Sequence, residues 1–457
     1  MDNNEIYKTY LQKLHDYWEY MLSNKMYYKY KKIMSISNLS GTHLDFYHQP
    51  FKQLDKSSPD INFRNKVLKT FIKLNNLTKK KILISEPVVN EIISQCDFII
   101  DNPGYWARYG YSEKVTESII DSYKLFRSYL KNYLKNFSSE VKCVGLGKTI
   151  EGNKLYCYCI KYFTGFDNIT PRELQRFGIM RLFKLSEILH NKYKSLEEAK
   201  TIYKNKQQYF NNDTEIFAYV KNKLYENQTK TKNIFSSNVK IPDANKIVVR
   251  SFPQLKAKGA PYGKSHEKLL FINTININRL SKTIINQICA QEAIPGIMVE
   301  RYNTSKISKK YIQNKKIRSH IKRGICATKE GWGLMAEELL KESDELDLLL
   351  DQILNTVRII VDIGLNTLEC DMSFNMESAK EFLKKYTVMD DDTIQYEIIR
   401  YLAKPAYSCA AGIGYYTIKL LIEQYSIDIK QFADMYMKLP FTLPLLKEYI
   451  KNFIKSN

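Results

Sequence analysis

The chain has 457 residues, and its 70 Lys+Arg against 49 Asp+Glu give a formal net charge of +21. Its 44% apolar and 26% charged residues exclude a disordered chain and leave material for a large core. No apolar run approaches the roughly 18 residues that cross a bilayer: the best, Pro405 to Ile418, stops at Lys419, and the start Met1-Asp2-Asn3-Asn4-Glu5 is unlike a secretory signal.

In chain order, residues 3–33 set Tyr7, Tyr10, Leu11, Leu14, Trp18 and Met21 at three- and four-residue spacings, the period of a helix with one apolar face. Further helices are expected at 62–75, 87–98 and 112–136. After a break at 143–147, Leu155 to Phe163 is rich in Tyr, Cys and Ile and reads as a strand, or as a hairpin with its turn near Gly152. Thr170-Pro171-Arg172-Glu173 is a helix start, with Thr170 as cap, Pro171 in the first turn and Glu173 reaching back. That helix should run to about His190, and Thr214 to Asn227 should form another. Ile247-Val248-Val249 and Leu269 to Ile272 look like short strands flanking a loop that holds Gly259, Pro261 and Gly263. From Asn278 the pattern is helical to the end. The expected class is mostly α with a small β element, with 1–142 a helical N-terminal layer continuous with 143–457.

Eight cysteines in a chain of this length suit reduced thiols, so the expected location is cytoplasmic. Cys157 and Cys159 are a lone close pair, and none of the six histidines stand at the i, i+4 spacing of a helix-borne metal site. Arg301 to Arg323 holds nine basic residues and no acidic one. Such a run is a solvated face, or a cleft rim that attracts an acidic ligand. Lys and Asn abundance also fits an AT-rich genome. With no helix-turn-helix, RNP-type or Gly-rich phosphate motif, nucleic acid is not an expected partner.

Four ordered segments carry a resemblance. Gln291-Glu292-Ala293-Ile294-Pro295-Gly296 resembles His-Glu-Ala-Tyr-Pro-Gly-His-His, and Glu330-Gly331-Trp332-Gly333-Leu334-Met335-Ala336-Glu337 resembles Glu-Gly-Trp-Ala-Leu-Tyr-Ala-Glu. Arg358 to Asn366 resembles Arg-x-x-x-Asp-x-Gly-x-His, and Arg400-Tyr401 with Pro405 resembles an Arg-Tyr…Pro-Gly-Gln segment. These are motifs of the bacterial family called domain of unknown function 885, which is similar to zinc metallopeptidases of the gluzincin kind; the likeness covers about 143–455. The resemblance implies a multi-helical, zincin-like scaffold with zinc as the family's cofactor. It puts Glu292 at the place of the general base and Glu330 at that of a carboxylate ligand.

The donors of such a site are missing. Gln291 stands at the first imidazole position, Ile297 and Met298 at the next two, Asn366 at the downstream histidine and Ala411 at a family tyrosine. A carboxylate with a neutral amide makes a poor zinc site, so no metal and no other cofactor is expected, with Glu330 the sole retained ligand position. The expected function is that of a metallopeptidase-like protein that has lost its metal site and binds a peptide or peptide-like ligand in a helical cleft. Glu292 would be a relict base. Gln291, Met298, Glu330, Trp332, Arg358, Asp362, Asn366, Arg400 and Tyr407 would line the ligand.

Plainer roles compete with these. Glu292 could pair with Arg358 or Arg400, Arg358 with Asp362 one turn away, and Glu330-Gly331-Trp332 could serve packing, with Gly for close helix approach and Trp as a buried anchor. The alternative function is metal-independent acyl or amide chemistry, as a hydrolase or transferase, using Glu292 with a cysteine. Cys289, Cys326, Cys370 and Cys409 lie near the motifs, although a buried, unreactive thiol is the default.

Overall fold

The computed structural model describes residues 3–34, 36–48, 58–80, 82–136, 145–147, 150–252, 261–323, 325–340, 344–439 and 441–456. Gly259 of the expected loop lies outside them, as do the side chains of Lys306, Lys309, Lys310, Lys322 and Arg323 in the basic run. The chain is mostly helical with one small sheet.

The first apolar stripe forms two helices, Asn3–Ser23 and Lys25–Met34, parted at Asn24. Leu11, Leu14, Trp18 and Met21 are all buried, each side chain worth about 1.5–3 kcal/mol when fully withdrawn from water. Helices follow at Pro59–Thr78, Glu86–Asp101 and Glu113–Tyr133, the last capped by the Ser112 hydroxyl, which accepts from the Val115 N–H. Helix Pro171–Tyr193 carries both halves of the capping box read at Thr170 and Glu173.

Leu155 to Phe163 is not a strand but most of helix Ile150–Thr164. Leu155, Tyr156, Tyr158, Cys159, Ile160 and Phe163 are all buried, because helices Lys25–Met34, Cys326–Leu340 and Cys409–Tyr425 cover it on several sides. A helix buried on most faces has no polar stripe, and its sequence is then indistinguishable by period from a buried strand.

Two apolar cores result, each drawing on both sides of residue 142. The first joins helices Asn3–Ser23 and Ile150–Thr164 to the motif helices and to the last helix, Leu443–Ser456. There Tyr10 meets Tyr449 edge-on at 5.1 Å, and Asn452 Nδ2 donates to the Tyr10 hydroxyl at 2.8 Å. The second joins helices Pro59–Thr78 to Glu113–Tyr133 with Pro171–Tyr193 and Asp391–Ala403. Helix Glu345–Asn366 stands between them, giving Ile359 and Ile363 to the first and Val357, Ile360, Val361 and Leu365 to the second.

The sheet has three strands, β1 (Val248–Ser251), β2 (Gly263–His266) and β3 (Leu269–Ile272), in the order β1-β3-β2. β1 runs parallel and β2 antiparallel to β3. β2 arises from the Gly/Pro-rich stretch expected to be loop, and it lies against the Gln291–Gly296 segment. Gly263 is what admits it there, since a Cβ would meet the Ile288 side chain at 2.3 Å.

Candidate functional site

Helix Lys282–Ile288 continues into a π-helical turn, Cys289–Ala293, which ends before Pro295. Gly296 lets the chain fold back on that turn, since a Cβ there would stand 1.9 Å from the Gln291 carbonyl oxygen. A new helix, Ile297–Tyr311, starts at once. Positions 291 and 297–298 therefore lie on two separate elements. Ile297 and Met298 are 3% and 2% exposed, and Met298 belongs to the first core.

Ser265 sits on edge strand β2 and turns its backbone outward. Glu292 Oε2 accepts from the Ser265 N–H at 2.7 Å and from its hydroxyl at 2.8 Å. Arg301 Nη1 donates to the Ser265 carbonyl at 3.5 Å. Glu330 approaches from helix Cys326–Leu340. The Tyr407 hydroxyl donates to Glu330 Oε1 at 3.3 Å, and Lys329 Nζ lies 3.3 Å from the same oxygen. Lys329 and Glu330 keep 16% and 21% of their side-chain surface, so the group is sunk in the protein and still reached by water. Lys404 Nζ stands over the Tyr407 ring, 3.0 Å from its centroid.

The electrostatics follow from this crowding. Burial, then the Glu330 charge, push the Glu292 carboxyl above its ordinary range, against the two Ser265 hydrogen bonds. Burial also acts to raise Glu330, but the Lys329 and Lys404 charges outweigh it and hold Glu330 below its ordinary range. Lys404 is lowered to about 7, first by burial and then by Lys264 and Lys329, against the pull of Cys326 and Glu330. Burial and the Glu330 charge push the Cys326 thiol up to about 12. The site thus holds one carboxylate held below its ordinary range, one pushed above it, and three lysines.

Other expected site residues have protein partners of their own. Gln291 and Gln287 both donate to the buried Glu337 carboxylate. Trp332 donates its indole N–H to the Pro295 carbonyl at 3.0 Å and stacks on Tyr436 and Phe432 within the first core. Arg358 and Arg400 bind neither Glu292 nor Asp362. Both pair with Glu397, at 3.1 and 2.7 Å, and Tyr401 donates to the same carboxylate at 2.8 Å. Asn366 is fully buried, donating to the carbonyls of Asp362 and Tyr401 and accepting from the Leu146 N–H. In the basic run, Lys316 lies over the Tyr27 ring and Arg318 donates to the Ile312 carbonyl. Ser265, Lys264, Lys329 and Lys404 are the members that sequence reasoning missed. Lys329 adjoins Glu330 and Lys404 adjoins Pro405, which is the only signal either gives.

Asp362, also fully buried, accepts from the Ala406 N–H at 2.8 Å and the Tyr156 hydroxyl at 2.9 Å. Burial raises its carboxyl to about 7 against those hydrogen bonds. Because the folded state holds this proton more tightly than the unfolded chain does, the stabilisation is full below about 4 and is lost as pH rises through about 7. Asp362→Asn, which mimics the protonated acid, should therefore flatten the fall in Tm between pH 5 and 8. An unchanged pH slope in the variant would refute the assignment.

The bacterial family of unknown function DUF885 has a sequence profile that matches residues 76–447. The fold is similar to the crystal structure of a presumed lipoprotein from Colwellia psychrerythraea, with a TM-score of 0.73 and 15% identity over 93% of this chain and 81% of that one. It is also similar to the structure of a presumed lipoprotein of unknown function from Shewanella oneidensis, with a TM-score of 0.54 and 14% identity over 93% and 82% of the two chains. At such identities the likeness is one of fold. No curated protein matches the chain. A profile match over most of the length places the chain in the DUF885 family.

Proposed function

We propose that the chain is a metallopeptidase-like member of its family that does not hydrolyse through zinc and that binds a peptide or peptide-like ligand beside Glu292 and Glu330. The zincin-like character of the scaffold belongs to this proposal. The observation that carries it is that both surviving carboxylates have protein partners: Glu330 has Lys329 and Tyr407, and Glu292 has Ser265. The residues present do not fit a zinc ion. The amide of Gln291 is engaged by Glu337, Ile297 and Met298 are apolar and buried, and the Lys329 and Lys404 charges beside Glu330 would repel a dication.

The repurposed-enzyme reading is less well supported. The Cys326 thiol beside Glu330 is pushed up to about 12 and stays protonated at neutral pH, and Cys289 is fully buried. Among the described residues the seven cysteines form no disulfide, which suits the cytoplasmic location proposed with this function.

Elemental analysis of protein purified without chelators or a polyhistidine tag tests the metal half. We expect far less than one zinc per chain, unchanged in Glu330→Ala. Near-stoichiometric zinc that disappears in the variant would overturn the reading. For the ligand half, a mixture of short peptides is passed with the protein through gel filtration, and those that co-elute are identified by mass spectrometry. Failure to retain any would count against peptide binding.

A further inference from the structure

Lys404 follows helix Asp391–Ala403 as its C-cap residue, its N–H bonded to the Arg400 carbonyl at 2.9 Å. Its ammonium group makes no hydrogen bond and no ion pair among the described residues; it rests on the faces of Tyr407 and, at 5.4 Å, Phe163. Lys264 projects from the exposed side of β2, and among the described residues it too has no ion pair. Of the three lysines that act on one another here, Lys329 is the one with a carboxylate in contact. Lys404 over Tyr407, Tyr407 against Glu330 and Lys329 against the same carboxylate draw these groups into one partly buried space, with Lys264 at its exposed edge. Sinking the unpaired Lys404 ammonium group beside two further lysines is costly unless something negative joins them.

We propose that Lys404, Lys264 and Lys329 form an oxyanion subsite over the Tyr407 ring, and that it receives the carboxylate of the ligand. The identity of that ligand as peptide-like rests on the function proposed above; the anion subsite itself rests on the lysines. Recognition would be mainly by charge, because each ammonium group is a flexible point donor rather than a planar fork. The Tyr407 and Phe163 rings would supply a flat apolar floor for the part of the ligand next to its carboxylate.

The test is an NMR titration of the full chain with its lysines reductively ¹³C-methylated, which keeps their charge. The Lys404 resonance is identified by its loss in Lys404→Met. Acetate and inorganic phosphate are the probes, each titrated at constant ionic strength. The expected result is a saturable shift of the Lys404 signal with acetate, a rise of its titration midpoint by about one unit, equivalent to tenfold tighter proton binding, and roughly tenfold weaker acetate binding in Lys264→Met. Lys264 is exposed, so that variant folds whatever the fate of the buried one. A Lys404 signal that ignores acetate, or that moves equally in Lys264→Met, overturns the subsite. A response to phosphate alone overturns the carboxylate assignment. Stoichiometric zinc would sink the function proposed above while leaving this titration readable. Zinc-free protein that retains peptides but whose Lys404 ignores acetate would lose the subsite alone.

Discussion

Replacing Glu397 with alanine should lower the stability of the fold by about 3–5 kcal/mol, the range seen when one partner of a buried ion pair is removed and the other is left. Glu397 is 5% exposed and accepts from Arg358, from Arg400 at two positions and from the Tyr401 hydroxyl. Burial alone would raise its carboxyl, but the two guanidinium groups hold it down at about 2. A folded-state value below the unfolded one means that the stabilisation is complete above about 4.5 and is lost as pH falls through about 2. Urea unfolding followed by circular dichroism should therefore show a large loss for Glu397→Ala at pH 7 and a much smaller one near pH 2.5. A loss below about 1 kcal/mol at pH 7 would mean that water reaches the two arginines and that the network is a surface pair in effect.

That network also gives several of the expected ligand-lining residues partners within the protein. Arg358, Asp362, Asn366 and Arg400 sit in segments that resemble ordered motifs, and that order suggests a shared cleft. In three dimensions they flank the buried helix Glu345–Asn366 and its neighbour Asp391–Ala403, where their polar groups are taken up by Glu397, Tyr156, Ala406, Tyr401 and Leu146. A buried arginine needs its carboxylate as much as a catalytic residue needs its substrate, and sequence spacing does not separate the two cases. Glu397 lies three residues before Arg400, on the same helix, but nothing in the pattern ties it to Arg358.

What local chemistry fixes was legible. Thr170 and Glu173 make their capping box, and β1 and β3 appear within a residue or so of their apolar runs. What depends on tertiary contact was not. Helix Ile150–Thr164 lost its polar stripe to burial, and β2 formed in a Gly/Pro-rich stretch because β3 offered a partner and Glu292 bound the outward N–H of Ser265. The lysine ring around Glu330 comes from three separate segments, at 264, 329 and 404, so no window along the chain contains it.

The second large effect is at the crossing of helices Cys326–Leu340 and Cys409–Tyr425, which pack closely through two glycines. A Cβ on Gly331 would fall 2.4 Å from the Gly414 carbonyl carbon and 2.5 Å from the Tyr415 nitrogen. A Cβ on Gly414 would fall 1.7 Å from the Ala327 carbonyl oxygen. The obstructing atoms in both cases are backbone, which cannot swing aside as a side-chain end can, so one methyl group forces the two helices apart. Each alanine variant should lose about 1–3 kcal/mol, and more where the backbone cannot yield. Gly104→Ala is the control, since a Cβ there meets nothing within 4 Å. Thermal unfolding should show a clear drop in Tm for Gly331→Ala and Gly414→Ala and almost none for Gly104→Ala; equal Tm values for all three would disprove the tight crossing. The same displacement should be felt at the site, because Lys329 lies two residues before Gly331 on the same helix and would be drawn from Lys404 and Lys264. In Gly331→Ala the lysine cluster should therefore bind acetate more weakly even at temperatures where the fold survives. Unchanged acetate binding in a destabilised Gly331→Ala would show that the crossing supports the fold without positioning Lys329.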